Sequence, residues 1–338
     1  MADDVSGQAG LAPADFFTAS AFAAEQALFT GGWVAVCRAE ELEGPGAQKA
    51  VTVAGQPVLV TRDEAGALHA LSNVCRHRGF VLVDEDATAP VVRCPYHLWT
   101  YRLDGALAAA PFMDGVDVSR CDLPRYAIET WAGFVFVNLD GRAAPLAATL
   151  EPLAARVDPE RLAGWRIGLR IPFEHDWNWK VMVENFSESY HHIGAHAATL
   201  QPLWPGGESC SSKSTDVWVE LTHSTHPEAG TFTVYTVFPS FMLAIAEPGE
   251  WAYWYRMVPE GPERFSLEIL GLFPPEAIGD VGAIEAATAQ LTAIHLEDIE
   301  MCQRTQAGLR APDAALGPLS PLEAGIARFR AWVARGRA

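Results

Sequence analysis

Apolar residues along this chain follow a helical rhythm first, then an alternating one, then a mixture of both. Residues 13–30 carry Phe16, Phe17, Phe22 and Leu28 among alanines, which predicts a helix. From Trp33 to about Asp140, short apolar runs at 51–53, 57–61, 68–72, 91–94 and 133–138 are separated by turn residues. Strands of that length and spacing predict a small all-β domain. Residues 141–164 are rich in Ala, Pro and Leu and read as a connector with a short helix. A helix is expected over 178–193, with Asp176 as N-cap and Gly194 as the stop. Strands are expected across 215–272, and a long helix over 280–308. The order, β and then α+β, predicts two domains.

One stretch tests the difference between a strand and a membrane span. Ala229 to Ala246 runs for 18 residues without charge or histidine, the lower limit for a span. Within it, however, Phe232, Val234 and Phe238 fall on one side and Thr231, Thr233 and Tyr235 on the other, and Pro239–Ser240 interrupts it. The alternation predicts a half-buried strand leading into a second strand. The first ten residues are acidic and polar, with neither the basic nor the apolar segment of an export signal, so a cytoplasmic protein is expected.

Composition then removes several function classes. The 338 residues include 42 Asp and Glu against 24 Lys and Arg, a formal net charge of −18. No block of basic residues is present to neutralise phosphates, which argues against nucleic acid or an anionic membrane surface as partner. Eleven tryptophans and 49% hydrophobic residues exclude a disordered chain. The six cysteines, at 37, 75, 94, 121, 210 and 302, sit in a chain too long to need a disulfide scaffold.

Two of those cysteines are each followed closely by histidine: Cys75-x-His77 and Cys94-x-x-His97, with sixteen residues between His77 and Cys94. Each pair lies in a loop after a predicted strand, so two loops of two soft donors can close on one compact centre. Two chemistries use such a set. One is a tetrahedral structural zinc; the other is a Rieske 2Fe–2S cluster, in which two thiolates hold one iron and two imidazoles the other. Zinc fingers pair cysteine with cysteine and histidine with histidine. Here each loop mixes one of each, the arrangement a cluster needs.

A second constellation spans Glu184, Glu188, His191, His192 and His196. On a continuous helix Glu184, Glu188 and His191 share one face. His192 and His196 form the simplest same-face pair, whereas His191 and His196 stand about 140° apart and converge only where the helix ends or bulges. Two histidines and a carboxylate form a facial triad that leaves coordination positions of a ferrous ion open. The carboxylate must come from elsewhere. In the 280–308 helix, Asp298 falls within the apolar stripe of Leu291, Ile294, Met301 and Cys302, while Glu297 and Glu300 are expected to point away. A carboxylate on a buried face costs several kcal/mol unless it is paired or metal-bound, which singles out Asp298.

These motifs resemble a known family. The stretch Asn73-Val-Cys-Arg-His-Arg-Gly79, with Arg93-Cys-Pro-Tyr-His-Leu-Trp-Thr-Tyr101 and Leu103-Asp-Gly105, is similar to the α subunit of Rieske non-heme iron oxygenases, closer to the quaternary-amine and demethylase branches. Leu98 departs from the glycine usual after the second histidine. The resemblance implies an all-β Rieske domain (35–142) after a helical lead-in (1–34), then a helix-grip, START-like α+β catalytic domain (143–338). It implies a Rieske cluster on Cys75, His77, Cys94 and His97, and a mononuclear Fe(II) on His191, His196 and Asp298. Glu188 is implied to connect the two centres through a hydrogen bond to His97 of a neighbouring subunit in a head-to-tail homotrimer. The implied reaction is hydroxylation or oxidative demethylation of a small molecule, a methylated amine or betaine, with O2 as co-substrate and electrons from NAD(P)H through a separate reductase or ferredoxin. Dihydroxylation of an aromatic acid or hydrocarbon is the alternative. The catalytic half carries Trp204, Trp218, Tyr235, Trp251, Tyr253, Trp254 and Tyr255, a supply of π faces for a cationic or an aromatic substrate.

Overall fold

A computed structural model describes residues 10–211, 214–247 and 250–337. Contacts divide the chain into two compact units, residues 29–164 and residues 1–28 with 165–338. The helices Leu146–Ala154 and Pro159–Gly164 group with the first unit rather than with the second half of the chain.

The 29–164 unit is built on a seven-stranded antiparallel sheet and a separate three-stranded one. The larger sheet includes Ala47–Val53, Gln56–Arg62, Leu68–Ser72 and Phe134–Asn138, close to the runs expected from alternation. The smaller sheet, Val92–Arg93, Thr100–Tyr101 and Leu107–Ala109, holds the second Cys–His loop at its first turn. Both candidate cysteines belong to the buried core here, with Leu59, Leu71, Trp99, Tyr101 and Leu123 around them. A paired β scaffold with its loops anchored in an apolar core fixes those loops far better than a surface turn would.

The other unit carries one six-stranded antiparallel sheet. Its order is Arg166–His175, Arg264–Phe273, Ala252–Gly261, Phe241–Glu247, Thr231–Val237 and Trp218–Thr222. The 229–246 stretch is therefore two paired strands, Thr231 opposite Glu247 and Val237 opposite Phe241. No described helix is long and apolar enough to cross a membrane. Residues 233–237 are buried on both faces, a departure from the half-buried reading, because tertiary packing covers the threonine side as well.

The long helix forms as expected, Val281–Leu309, capped by the Asp280 side chain on the Ala283 amide. Its buried residues, Leu291, His295, Asp298, Cys302, Gln306 and Leu309, recur every three to four positions and make one stripe. The helix expected over 178–193 is shorter. Its α-helical part is Trp179–Phe186 with Asn178 rather than Asp176 as the cap, its side chain accepting from the Lys180 amide. Ser187 ends it: its hydroxyl turns back onto the Val183 carbonyl and packs against Thr236. A separate 3-10 turn follows at Tyr190–Ile193. Gln306 ties the two helices together, its Oε1 accepting from the Asn178 amide at 3.0 Å.

Candidate functional site

The broken helix decides which histidines converge. His191 sits in the 3-10 turn and His196 just beyond it, so the 140° separation of a continuous helix no longer applies. His191, His196 and Asp298 each offer a ligand atom, and those atoms lie within 4.8 Å of one another. His196 Nε2 is 3.0 Å and His191 Nε2 3.6 Å from Asp298 Oδ1. The same break corrects the shared face of Glu184, Glu188 and His191. Glu184 turns away and forms a two-pronged ion pair with Arg330 at 2.8 and 2.7 Å.

Both histidines are held at their far nitrogen. Glu188 accepts from His191 Nδ1 at 2.6 Å and from its backbone amide at 3.2 Å. Glu297 accepts from His196 Nδ1 at 2.7 Å and from the Thr199 hydroxyl at 2.7 Å. With each Nδ1 proton committed to a carboxylate, each Nε2 is the nitrogen turned toward Asp298, and giving up its proton there would leave the lone pair a metal ligand needs. Asn185 completes the set by donating to Asp298 Oδ1 at 3.2 Å. Burial alone would lower the basicity of His196, but its bonds to Asp298 and Glu297 outweigh that and raise its pKa. Burial likewise disfavours the Asp298 carboxylate, and the His196 hydrogen bond with the His191 charge reverses it, leaving its pKa below the ordinary value. The donor set is that of a facial triad, two imidazoles and one carboxylate.

The Cys–His loops also fit the group read from the sequence. Cys75 and Cys94 are buried at 3% and 2% exposure. The His77 and His97 rings lie 4.7 Å apart, centre to centre, and His77 stacks on Trp99. His77 Nδ1 is buried and has no partner among the described residues, as fits a nitrogen that would bind a cluster iron. Burial pushes the Cys94 thiol up; the Tyr96 and His97 backbone amides bond to its sulfur and favour the thiolate. The Tyr101 hydroxyl lies 3.4 Å from Cys75 Sγ and accepts from the Arg76 amide. Leu98 occupies its unusual position at a positive φ of 60° with its side chain exposed, and the Leu98 amide still bonds to the Cys94 carbonyl. The substitution strains the turn without removing a donor to the site.

A cavity of about 290 Å3 opens onto the triad. Of the seven aromatic residues noted in the sequence, Trp204, Trp251, Tyr253 and Tyr255 line it, whereas Trp218, Tyr235 and Trp254 are buried in the sheet. Sequence reasoning missed Glu297, expected to point away. Its backbone position does lie off the buried stripe, but its side chain is long enough to reach back to His196. It also missed Asn185, Thr199 and His223, whose parts depend on long-range packing with no local periodic signal.

Comparison with known proteins agrees with the geometry. Residues 162–336 match the family model described as ring hydroxylating alpha subunit (catalytic domain), and residues 32–126 match that of the Rieske [2Fe-2S] domain. The carnitine monooxygenase oxygenase subunit of Acinetobacter pittii is 35% identical over 192 residues, 54% of this chain and 52% of that protein. The chain thus spans about half the length of this curated relative. Chloroplastic choline monooxygenase of Spinacia oleracea is 25% identical over 347 residues, 95% of this chain and 77% of that one. Among solved structures, a quaternary ammonium Rieske monooxygenase in complex with L-carnitine superposes with a TM-score of 0.85 at 24% identity, covering 100% of this chain and 98% of that one. A naphthalene 1,2-dioxygenase from Rhodococcus sp. gives 0.79 at 19% identity, covering 99% and 96%. At those identities the likeness establishes the fold.

Proposed function

The chain belongs to the family of ring-hydroxylating α subunits, and from that premise we propose that it is the terminal oxygenase of a system that hydroxylates or oxidatively demethylates a small methylated amine. The observation that carries the reading is the convergence of His191, His196 and Asp298 at the base of an aromatic-walled cavity. Cys75, His77, Cys94 and His97 would hold a Rieske cluster, and the triad a mononuclear Fe(II). When bound, the cluster supplies single electrons and the iron supplies O2 activation. The chain's own residues set the conditions for that chemistry. Glu188 and Glu297 fix both imidazoles in one tautomer, Asn185 orients the Asp298 carboxylate, and the apolar cavity wall limits water around the reacting carbon.

The methylated-amine reading is favoured over an aromatic hydrocarbon by the named activities of the relatives, carnitine, choline and glycine betaine monooxygenases. A reductase or ferredoxin fed by NAD(P)H is the proposed electron source, and the cytoplasm the proposed setting. In our reading Glu188 also accepts a hydrogen bond from His97 of a neighbouring subunit in a head-to-tail trimer; a solved relative is described by its inter-subunit electron transfer. The test is a reconstituted assay with a surrogate reductase, offering methylated amines and aromatic acids in parallel and identifying products by mass. Release of formaldehyde or a hydroxylated amine is the expected result. Turnover of the aromatic acids alone would replace this reading with the ring-hydroxylating one. Asp298→Ala should lose the mononuclear iron and keep the cluster's visible spectrum; full iron retention would refute the triad.

A further inference from the structure

His223 follows the strand Trp218–Thr222 and lines the cavity, yet it belongs to neither metal site. It is buried, at 4% exposure. The Phe232 carbonyl accepts from its backbone amide and from its Nδ1, each at 3.2 Å. A carbonyl oxygen can only accept, so Nδ1 carries the ring proton and Nε2 is left with a lone pair. Among the described residues Nε2 finds no hydrogen-bond donor. The ring is held between aromatic neighbours: it stacks on Phe232 at 3.8 Å and 17°, and lies near-parallel to His192 at 5.5 Å. Burial holds its pKa down to about 3, so the acceptor form persists throughout the neutral range.

The surroundings define what would meet that lone pair. Phe232 lies against Trp204 edge-on at 4.8 Å, and Trp251 stacks on Tyr253 at 4.3 Å. These rings put π faces beside His223, and the charged side chains among the described lining residues are the carboxylates Glu188 and Asp298. The π faces attract a cation; the two carboxylates are engaged by His191, His196 and the proposed iron and so add little to that preference. A fully apolar substrate would leave a buried acceptor unsatisfied, which is costly.

We propose that His223 is a specificity-determining residue: its Nε2 accepts a hydrogen bond from an O–H or N–H of a cationic substrate held against the Phe232–Trp251 wall. This rests on reading the cavity as the substrate site, and it selects among methylated amines those that carry a hydrogen-bond donor. No bond is made or broken at His223. Its work is to orient the substrate and so choose which methyl or methylene carbon faces the triad.

The experiment measures equilibrium binding calorimetrically on the iron-loaded protein, so it is independent of turnover. Two matched pairs serve as probes: choline against its O-methyl ether, and trimethylammonium against tetramethylammonium. The first pair tests an O–H donor and the second an N–H donor. A buried acceptor left unpaired predicts a preference of roughly tenfold or more for the donor-bearing member of at least one pair. His223→Phe, which keeps the aromatic stack, should bring that preference close to one, and His223→Gln, which keeps an acceptor, should retain part of it. Unchanged cluster absorbance and iron content establish that the variants are folded. Equal binding of both members of both pairs to the wild-type protein overturns the proposal without any variant. So does a preference that survives in His223→Phe, and so does failure of all four amines to bind. A preference abolished by His223→Phe in a protein that turns over no amine would uphold this role and count against the oxygenase reading alone.

Discussion

Glu297 accepts the Nδ1 proton of His196 at 2.7 Å, while the next residue, Asp298, meets the opposite nitrogen of the same ring at 3.0 Å. Successive residues of one helix thus grip a histidine from both sides. Asp298 does so from the buried stripe, and Glu297 from a half-buried position with one more methylene of reach. Such outer partners fix ring orientation and raise ligand basicity, and losing one typically costs ~10–100-fold in metal affinity. Glu297→Ala is therefore expected to weaken iron retention by about that factor in a chelator competition, and Glu297→Gln by less, since its amide oxygen still accepts from Nδ1. Equal iron affinity in Glu297→Ala and wild type would show that the surrounding fold orients His196 without Glu297.

Glu188 makes two bonds to His191, to Nδ1 and to the backbone amide. One of its oxygens is committed to each, but each carboxylate oxygen has a second lone pair. That spare capacity is what the proposed link to His97 of a neighbouring subunit would use. Glu188→Gln should keep both metals bound and slow electron arrival at the iron by at least tenfold in a single-turnover experiment. Unchanged single-turnover kinetics would remove Glu188 from the electron path.

How much of this was legible in the sequence follows from what local pattern encodes. The burial of Asp298 was readable because a carboxylate in an apolar stripe breaks a periodicity that burial otherwise enforces. The placing of Cys75 and Cys94 in loops after strands was readable because turn residues bound the short apolar runs before them. The helix over 178–193 was misread because its end depends on Ser187 finding both the Val183 carbonyl and Thr236, which lies 49 residues away. Spacing alone therefore left the choice between His191 and His192 open, and only family resemblance closed it. In the structure His192 serves the cavity wall, with its Nδ1 on the Trp204 carbonyl at 2.9 Å.

Tyr101 places its hydroxyl 3.4 Å from Cys75 Sγ, with the Arg76 amide donating to the same oxygen at 3.0 Å. That amide occupies an oxygen lone pair, leaving the hydroxyl proton free to point at the sulfur. A hydrogen bond to a cluster sulfur stabilises the extra electron and so raises the reduction potential. Tyr101→Phe is expected to lower the potential by tens of millivolts, on the order of one hydrogen bond for a one-electron couple. Protein-film voltammetry or a dye-mediated redox titration measures it directly. A potential unchanged or raised in Tyr101→Phe would mean that the hydroxyl does not donate to Cys75.

The last prediction concerns two histidines in the core, outside both metal sites. His175 Nε2 lies 3.0 Å from His295 Nε2, and the residues are 3% and 2% exposed. One ring donates and the other accepts across this contact, which is made with both rings neutral, while His295 Nδ1 is buried without a partner among the described residues. Burial, joined by the proximity of His295, holds the His175 pKa down to about 3; burial holds His295 at about 4 against the opposing pull of Asp298. In the unfolded chain each titrates near 6.5. Between about pH 6.5 and 4 the unfolded state therefore binds protons that the folded state refuses, and stability falls as the pH is lowered through that window. Each imidazole contributes at most ~1.4 kcal/mol per pH unit, and above about pH 6.5 the effect vanishes. Urea midpoints measured from pH 7.5 to 4.5 should fall more steeply for the wild type than for the double variant His175→Phe/His295→Leu, in which both titrating groups are gone. Because other carboxylates and histidines titrate in both proteins, the difference between the two slopes is the readout, and parallel curves would show that the pair accepts a proton in the folded state as readily as in the unfolded one.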